Sequence, residues 1–156
     1  MKSASIQEIK REIGSLNKTD LAALCIQLAK YKKENKELLN FLLFESHDID
    51  GYIQSAIEEV DELFLTINSS HVYFAKKTLR KILRITNKYI KYSSNKQVEI
   101  ELLMHYCTKF KALGFHKMKS QALNNLLEAQ IKKVHKAIES LHEDLQFEYL
   151  RTIEKL

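Results

Sequence analysis

Apolar residues recur at steps of three and four along most of the chain, the spacing that places them on one side of a helix turning about 100° per residue. The longest such stretch runs from Ser70 to Tyr92, SHVYFAKKTLRKILRITNKYIKY. Val72, Ala75, Leu79, Ile82, Leu83, Thr86, Tyr89 and Ile90 fall on one face. Lys76, Lys77, Arg80, Lys81, Arg84, Lys88 and Lys91 fall within one arc of roughly 140° on the other.

The same spacing predicts further helices on both sides. Ser5 and Glu8 spell a capping box before a short helix that Gly14 can end. Thr19 or Asp20 is placed to cap a second helix, with Leu21, Leu24, Cys25 and Leu28 inward. After the charged joint KYKKENKE, the run NKELLNFLLF leaves almost no polar face at Leu38, Leu39, Phe41, Leu42, Leu43 and Phe44. Burial against several neighbours is the expectation for it. ESHDIDGY is a connector in which Asp48 or Asp50 can cap the next helix, which runs to about Asn68. That helix points Ile53, Ile57, Val60, Phe64 and Ile67 inward and Glu58, Glu59 and Glu62 outward. Asn68, Ser69 and Ser70 leave only a short turn before the basic stretch, so the two helices should be antiparallel neighbours.

Beyond residues 93–95, a helix with the stripe Val98, Leu102, Leu103, Tyr106, Phe110 and Leu113 closes at Gly114. Another starts near Lys119 and carries Leu123, Leu127, Ile131, Val134, Ile138 and Leu141. Ser140 and Glu143 again spell a capping box, so the chain should break there, leaving a last helix with Leu145, Tyr149, Ile153 and Leu156 inward. The prediction is all-α: a single domain over residues 1–156, built as an antiparallel bundle or a short HEAT/armadillo-like stack of hairpins, with about seven to eight helices. Short helices occupy 5–45, a long-helix core 50–140 and a terminal helix 142–156. No internal repeat with matching positions is present, so a solenoid is not assigned.

Composition agrees. With no proline and three glycines in 156 residues there is little material for hairpin turns between strands. The opening MKSASIQEIK has no apolar run after its positive charge, and no uncharged stretch approaches the ~20 residues that cross a bilayer. A cytoplasmic setting is expected. Cys25 and Cys107 sit among apolar neighbours at helical spacing and read as buried reduced thiols.

Charge sharpens the picture. Between Glu34 and Glu62 there are nine acids and one base, net −8; between His71 and Lys119 there are twelve bases and two acids, net +10. No acid interrupts the chain from His71 to Val98, so the cationic arc has no partner on its own helix. Asp61, flanking the preceding helix, is placed to reach lysines at the edge of the arc. An open basic face can bind an acidic protein surface, nucleic-acid phosphates or an anionic membrane. Lys109, Lys111, Lys117 and Lys119 could extend it, and Tyr73 within the arc could stack on a base. No helix-turn-helix, zinc-finger or RNP signature points to base-specific reading.

Signals for catalysis are weak. Ser46 to Ile57 resembles a damaged calcium loop, with Asp48, Asp50 and Gly51 in place but a serine as first ligand and Ile57 where a bidentate Glu belongs. Helix capping accounts for those aspartates more simply. His135, Glu139 and His142 lie at i, i+4 and i+7 and could ligate zinc or iron if their helix continued through the capping box, but a solvated helix flank is the simpler reading. The second Glu-x-x-His of a di-iron bundle is missing. No phosphate-cradling glycine loop, nucleophile elbow or Cys-x-x-Cys pair occurs. No cofactor is expected, and nothing positive points to an enzyme.

The segments KENKELLNFLLFE, YFAKKTLRKILRITNKYIKYS and LHEDLQFEY resemble a family of bacterial all-helical domains of unknown function. The resemblance covers most of the chain, implies a bacterial cytoplasmic setting, and assigns no activity or ligand. The expected function is a non-catalytic interaction module whose basic helix face binds an acidic protein. The alternative is sequence-independent nucleic-acid binding by the same face, and a metal-dependent enzyme is the third class.

Overall fold

The computed structural model describes residues 3–68, 70–114 and 120–153. All regular structure among them is helical: α1 (Ile6–Ser15), α2 (Lys18–Tyr31), α3 (Lys33–Asn40), a π-helical turn (Phe41–Glu45), α4 (Ile49–Leu65), α5 (Val72–Ser93), α6 (Lys96–Ala112), α7 (Gln121–Glu139) and α8 (Glu143–Ile153). The all-α bundle expected from the spacing is what the chain forms. It divides into two compact units, Met1–Phe44 and Glu45–Leu156. Ser69, Lys117, Lys119 and Leu156, to which sequence assigned a turn, cationic or inward role, lie outside the described residues.

In the first unit the capping box forms as spelled. The Ser5 hydroxyl accepts from the Glu8 N–H at 3.3 Å, and the Glu8 carboxylate accepts from the Ser5 N–H at 2.8 Å. Helix α2 is capped by Asn17 rather than by Thr19 or Asp20. Its Oδ1 accepts from the Asp20 N–H at 2.9 Å, which puts Thr19 and Asp20 already inside the first turn. Helices α2 and α3 pack as a hairpin, tied by the Asn35 amide donating to the Leu28 carbonyl at 2.8 Å.

The apolar run that follows departs from expectation. Phe41 is buried, but Leu42, Leu43 and Phe44 are 54%, 61% and 66% exposed. A segment apolar on every side needs neighbours on every side. Cys25, on α2, is likewise only half-buried.

The second unit is organised by α6, which packs against α4, α5 and α7, while α8 packs on α7. Sequence showed a stripe on α6; the structure buries Ile100, Met104 and Cys107 as well as Val98, Leu102, Leu103, Tyr106 and Phe110. One core cluster joins Val60 and Phe64 of α4, Ala75, Leu79 and Ile82 of α5, Tyr106, Cys107 and Phe110 of α6, and Leu123 and Leu127 of α7. A second joins Ile100, Leu103 and Met104 to Val134, Ala137 and Ile138 of α7 and Ile153 of α8. Tyr106 crosses between helices, its ring 5.6 Å from that of Phe64 and its hydroxyl donating to the Leu79 carbonyl at 3.2 Å.

The turns follow capping rules. Asp48 caps α4, accepting from the Gly51 N–H at 3.0 Å, and a Cβ on Gly51 would stand 2.3 Å from that carboxylate. The aspartates of the calcium-like loop thus include a helix cap. Helix α5 ends at Ser94, which takes the left-handed conformation at φ 48°, and Asn95 caps α6. Gly114 ends α6 with φ 72°, its N–H donating to the Lys111 carbonyl at 2.9 Å. The break between α7 and α8 comes where expected, but Ser140 closes α7 instead of opening α8, its hydroxyl donating to the Ala137 carbonyl at 2.7 Å.

Replacing Ser94 by Gly should stabilise the protein by about 1 kcal/mol, because the left-handed backbone is strained only for a residue with a Cβ. Leu103→Ala should cost about 3 kcal/mol, whereas Leu65→Ala, at a residue 87% exposed, should stay within about 0.5 kcal/mol. Denaturant midpoints of the three variants check both statements.

Candidate functional site

Helix α5 buries Ala75, Leu79, Ile82 and Thr86 and so turns its cationic arc away from the core. Lys77, Arg80, Lys81, Arg84 and Lys91 are exposed, and Lys76 and Lys88 are half-buried. Lys77, Arg80, Lys81 and Arg84 surround a shallow, open concavity of about 610 Å³. Among the described residues no carboxylate oxygen lies within 4 Å of any of these four side chains. Lys88 differs, its ammonium standing 5.9 Å from the rings of both Tyr89 and Tyr92. At the N-terminal end of the helix Tyr73 and Phe74 are 74% and 52% exposed, packed edge-on to each other.

The neighbouring acidic helix leaves the arc open for an identifiable reason. Asp61 does not reach α5 as its sequence position suggested; it faces α6. There its carboxylate accepts from the Lys109 ammonium at 2.9 Å and lies 2.5 Å from His105 Nε2. Glu59 accepts from the Tyr89 hydroxyl, and Glu58 accepts from the Gln54 amide at 3.0 Å. Lys109 is therefore committed to Asp61 rather than added to the basic face. Burial pushes the Asp61 carboxyl up, but the Lys109 and His105 hydrogen bonds and charges outweigh it and hold the group below its usual range.

The remaining candidates are scattered or closed on themselves. His135 and Glu139 are exposed on α7, whereas His142 follows the break and lies 3.5 Å from Asp144 at the start of α8. Among the described residues no three His, Cys, Asp or Glu side chains are grouped to hold a metal ion. Cys107 is buried, and burial pushes its thiol up to about 12 against a small opposing effect of Lys111, which makes it inert at neutral pH.

A second concavity, of about 590 Å³, lies between α4, α6 and α8 and was not legible in sequence, since its walls come from segments far apart in the chain. Several of its polar groups satisfy one another. Glu101 accepts from the Tyr149 hydroxyl at 2.9 Å and from the Gln97 amide at 3.0 Å, and Gln97 also donates to Asp50 at 3.0 Å. Burial, then the bond to Glu101 and the nearby charges of Glu101, Glu148 and Asp50, push the Tyr149 phenol up. On the α5 face, by contrast, Lys77, Arg80, Lys81 and Arg84 have no carboxylate partner among the described residues.

No protein-family model, curated protein or solved structure matches the chain. No helix among the described residues is long and apolar enough to cross a membrane.

Asp61 has a pH signature. A carboxyl lowered in the folded state stabilises the protein above its unfolded pKa of about 3.9, and that stability is lost as pH falls through the lower folded value. Asp61→Asn should therefore lower the melting temperature at pH 7, and the gap to wild type should shrink below about pH 4. Thermal unfolding from pH 7 to pH 3 checks the sign.

Proposed function

We propose that the protein is a non-catalytic interaction module whose α5 face binds an acidic protein surface. The observation that supports this most directly is the group of four exposed cations, Lys77, Arg80, Lys81 and Arg84, with no carboxylate within 4 Å among the described residues. Like charges three and four residues apart cost a few tenths of a kcal/mol per pair on a helix. An anionic partner would remove that repulsion and be attracted by it. Arg80 and Arg84, one turn apart, offer planar forks that match carboxylates in pairs. The exposed rings of Tyr73 and Phe74 add the aromatic surface that protein interfaces favour beside arginine.

The alternative is sequence-independent binding to nucleic acid, which the Tyr73 ring favours because it stands in the cationic arc where a base could stack. The proposed setting is the cytoplasm of a bacterium, in keeping with the family that three segments of the chain resemble. A metal-dependent role through His135, Glu139 and His142 has less support, since only the first two share a helix.

Retention on immobilised poly-L-glutamate, measured beside a mixed-sequence DNA duplex and single-stranded RNA at about 20 mM salt, separates the readings. Poly-L-glutamate should be held, and Lys77→Glu, Arg80→Glu and Arg84→Glu combined should weaken it at least about tenfold with the helical circular dichroism unchanged. Tighter binding to DNA or RNA than to poly-L-glutamate would hand the face to nucleic acid. Retention on none of the three would end both readings.

A further inference from the structure

Resting on that reading of the α5 face, we infer that its acidic partner is a second copy of this chain, docked α4 on α5 and α5 on α4. The α4–α5 hairpin carries both halves of the complementarity. Glu58, Glu62 and Leu65 share an arc of about 60° on α4 and are all exposed. Lys77, Arg80, Lys81 and Arg84 share the outward arc of α5.

The two arcs are also at matching heights. The Tyr52 hydroxyl donates to the Tyr89 carbonyl at 3.0 Å, and the two rings meet edge-on at 5.8 Å, so residue 52 of α4 lies level with residue 89 of α5. At the other end of the hairpin Phe64 shares a core cluster with Ala75 and Leu79, so the helices run antiparallel. Both advance about 1.5 Å per residue. Ten residues along, Glu62 is therefore level with Leu79, and Glu58 with Leu83. The acids stand at the height of Arg80, Lys81 and Arg84 while lying on the other helix.

Such a surface is self-complementary. A two-fold axis in the plane of the face and parallel to the helices keeps every height and exchanges left for right. It lays the acidic stripe of each copy over the basic stripe of its partner, twice, in the isologous arrangement most homodimers use. The same operation brings Leu65, 87% exposed, level with residue 76 of the partner's α5, within about one helical turn of the apolar surface that Tyr73 and Phe74 offer. Within one copy the two stripes point outward from adjacent helices, and Glu62 makes no ion pair with α5 among the described residues.

Sedimentation velocity on the full chain tests this with two charge-reversed variants. One carries Lys77→Glu, Arg80→Glu, Lys81→Glu and Arg84→Glu, the other Glu58→Lys and Glu62→Lys. Wild type should dimerise at about 20 mM salt and weaken at least about tenfold at 500 mM. Each variant alone should be monomeric, because both of its contacts would be like-charged. An equimolar mixture of the two should recover a dimer, since acid then faces base at both contacts.

A wild-type monomer under all conditions overturns the inference, as does a dimer that ignores both reversals or a mixture that stays monomeric. The poly-L-glutamate experiment keeps this failure distinct from that of the parent reading. Monomeric protein that still binds poly-L-glutamate has an acidic partner other than itself, and monomeric protein that does not bind it has lost both.

Discussion

Burial of α6 on nearly every side is the constraint on which the larger unit depends. Its residues enter both core clusters, Tyr106, Cys107 and Phe110 in one and Ile100, Leu103 and Met104 in the other. Helices α4, α5 and α7 each pack against it. Because α6 fills the interior, α5 can bury only the face it turns inward, and Lys77, Arg80, Lys81, Arg84 and Lys91 are left exposed on the other. The openness of the basic face is thus a consequence of the packing of a different helix.

The same packing explains why the acidic helix does not neutralise the basic one. Asp61, on the side of α4 that meets α6, is drawn to His105 and Lys109. Glu59, on the side that meets α5, is met by a tyrosine hydroxyl, not a lysine. The charge segregation visible along the chain is therefore mostly preserved in three dimensions. A hairpin with one acidic and one basic outer stripe is the result.

Much of the fold was legible before any coordinates. The three-four spacing located the helices, and the residues that favour helix ends located the breaks, because capping is a local matter of side-chain oxygen and free backbone amide. Ser5, Asp48, Asn95 and Gly114 act where they stand in the sequence. Asn17 and Ser140 show the limit of that local reading. Several residues within a turn of each other can cap, and the one chosen depends on where the helix axis is held. The run from Leu42 to Phe44 shows a different limit, since a helix segment apolar on all sides does not state which side will find a neighbour.

By itself, the sequence determined that the chain is helical, where most of its helices begin and end to within about a turn, and that one of them carries a cationic arc without an acid of its own. These properties follow from periodicity, propensity and capping, all of which act within a few residues. Only the tertiary structure decided that α6 is the buried centre, that Asp61 pairs with α6 rather than α5, and that Lys77, Arg80, Lys81 and Arg84 stand open. Those outcomes depend on contacts between residues some 20 to 50 positions apart, where side-chain pattern limits the choices and packing selects among them.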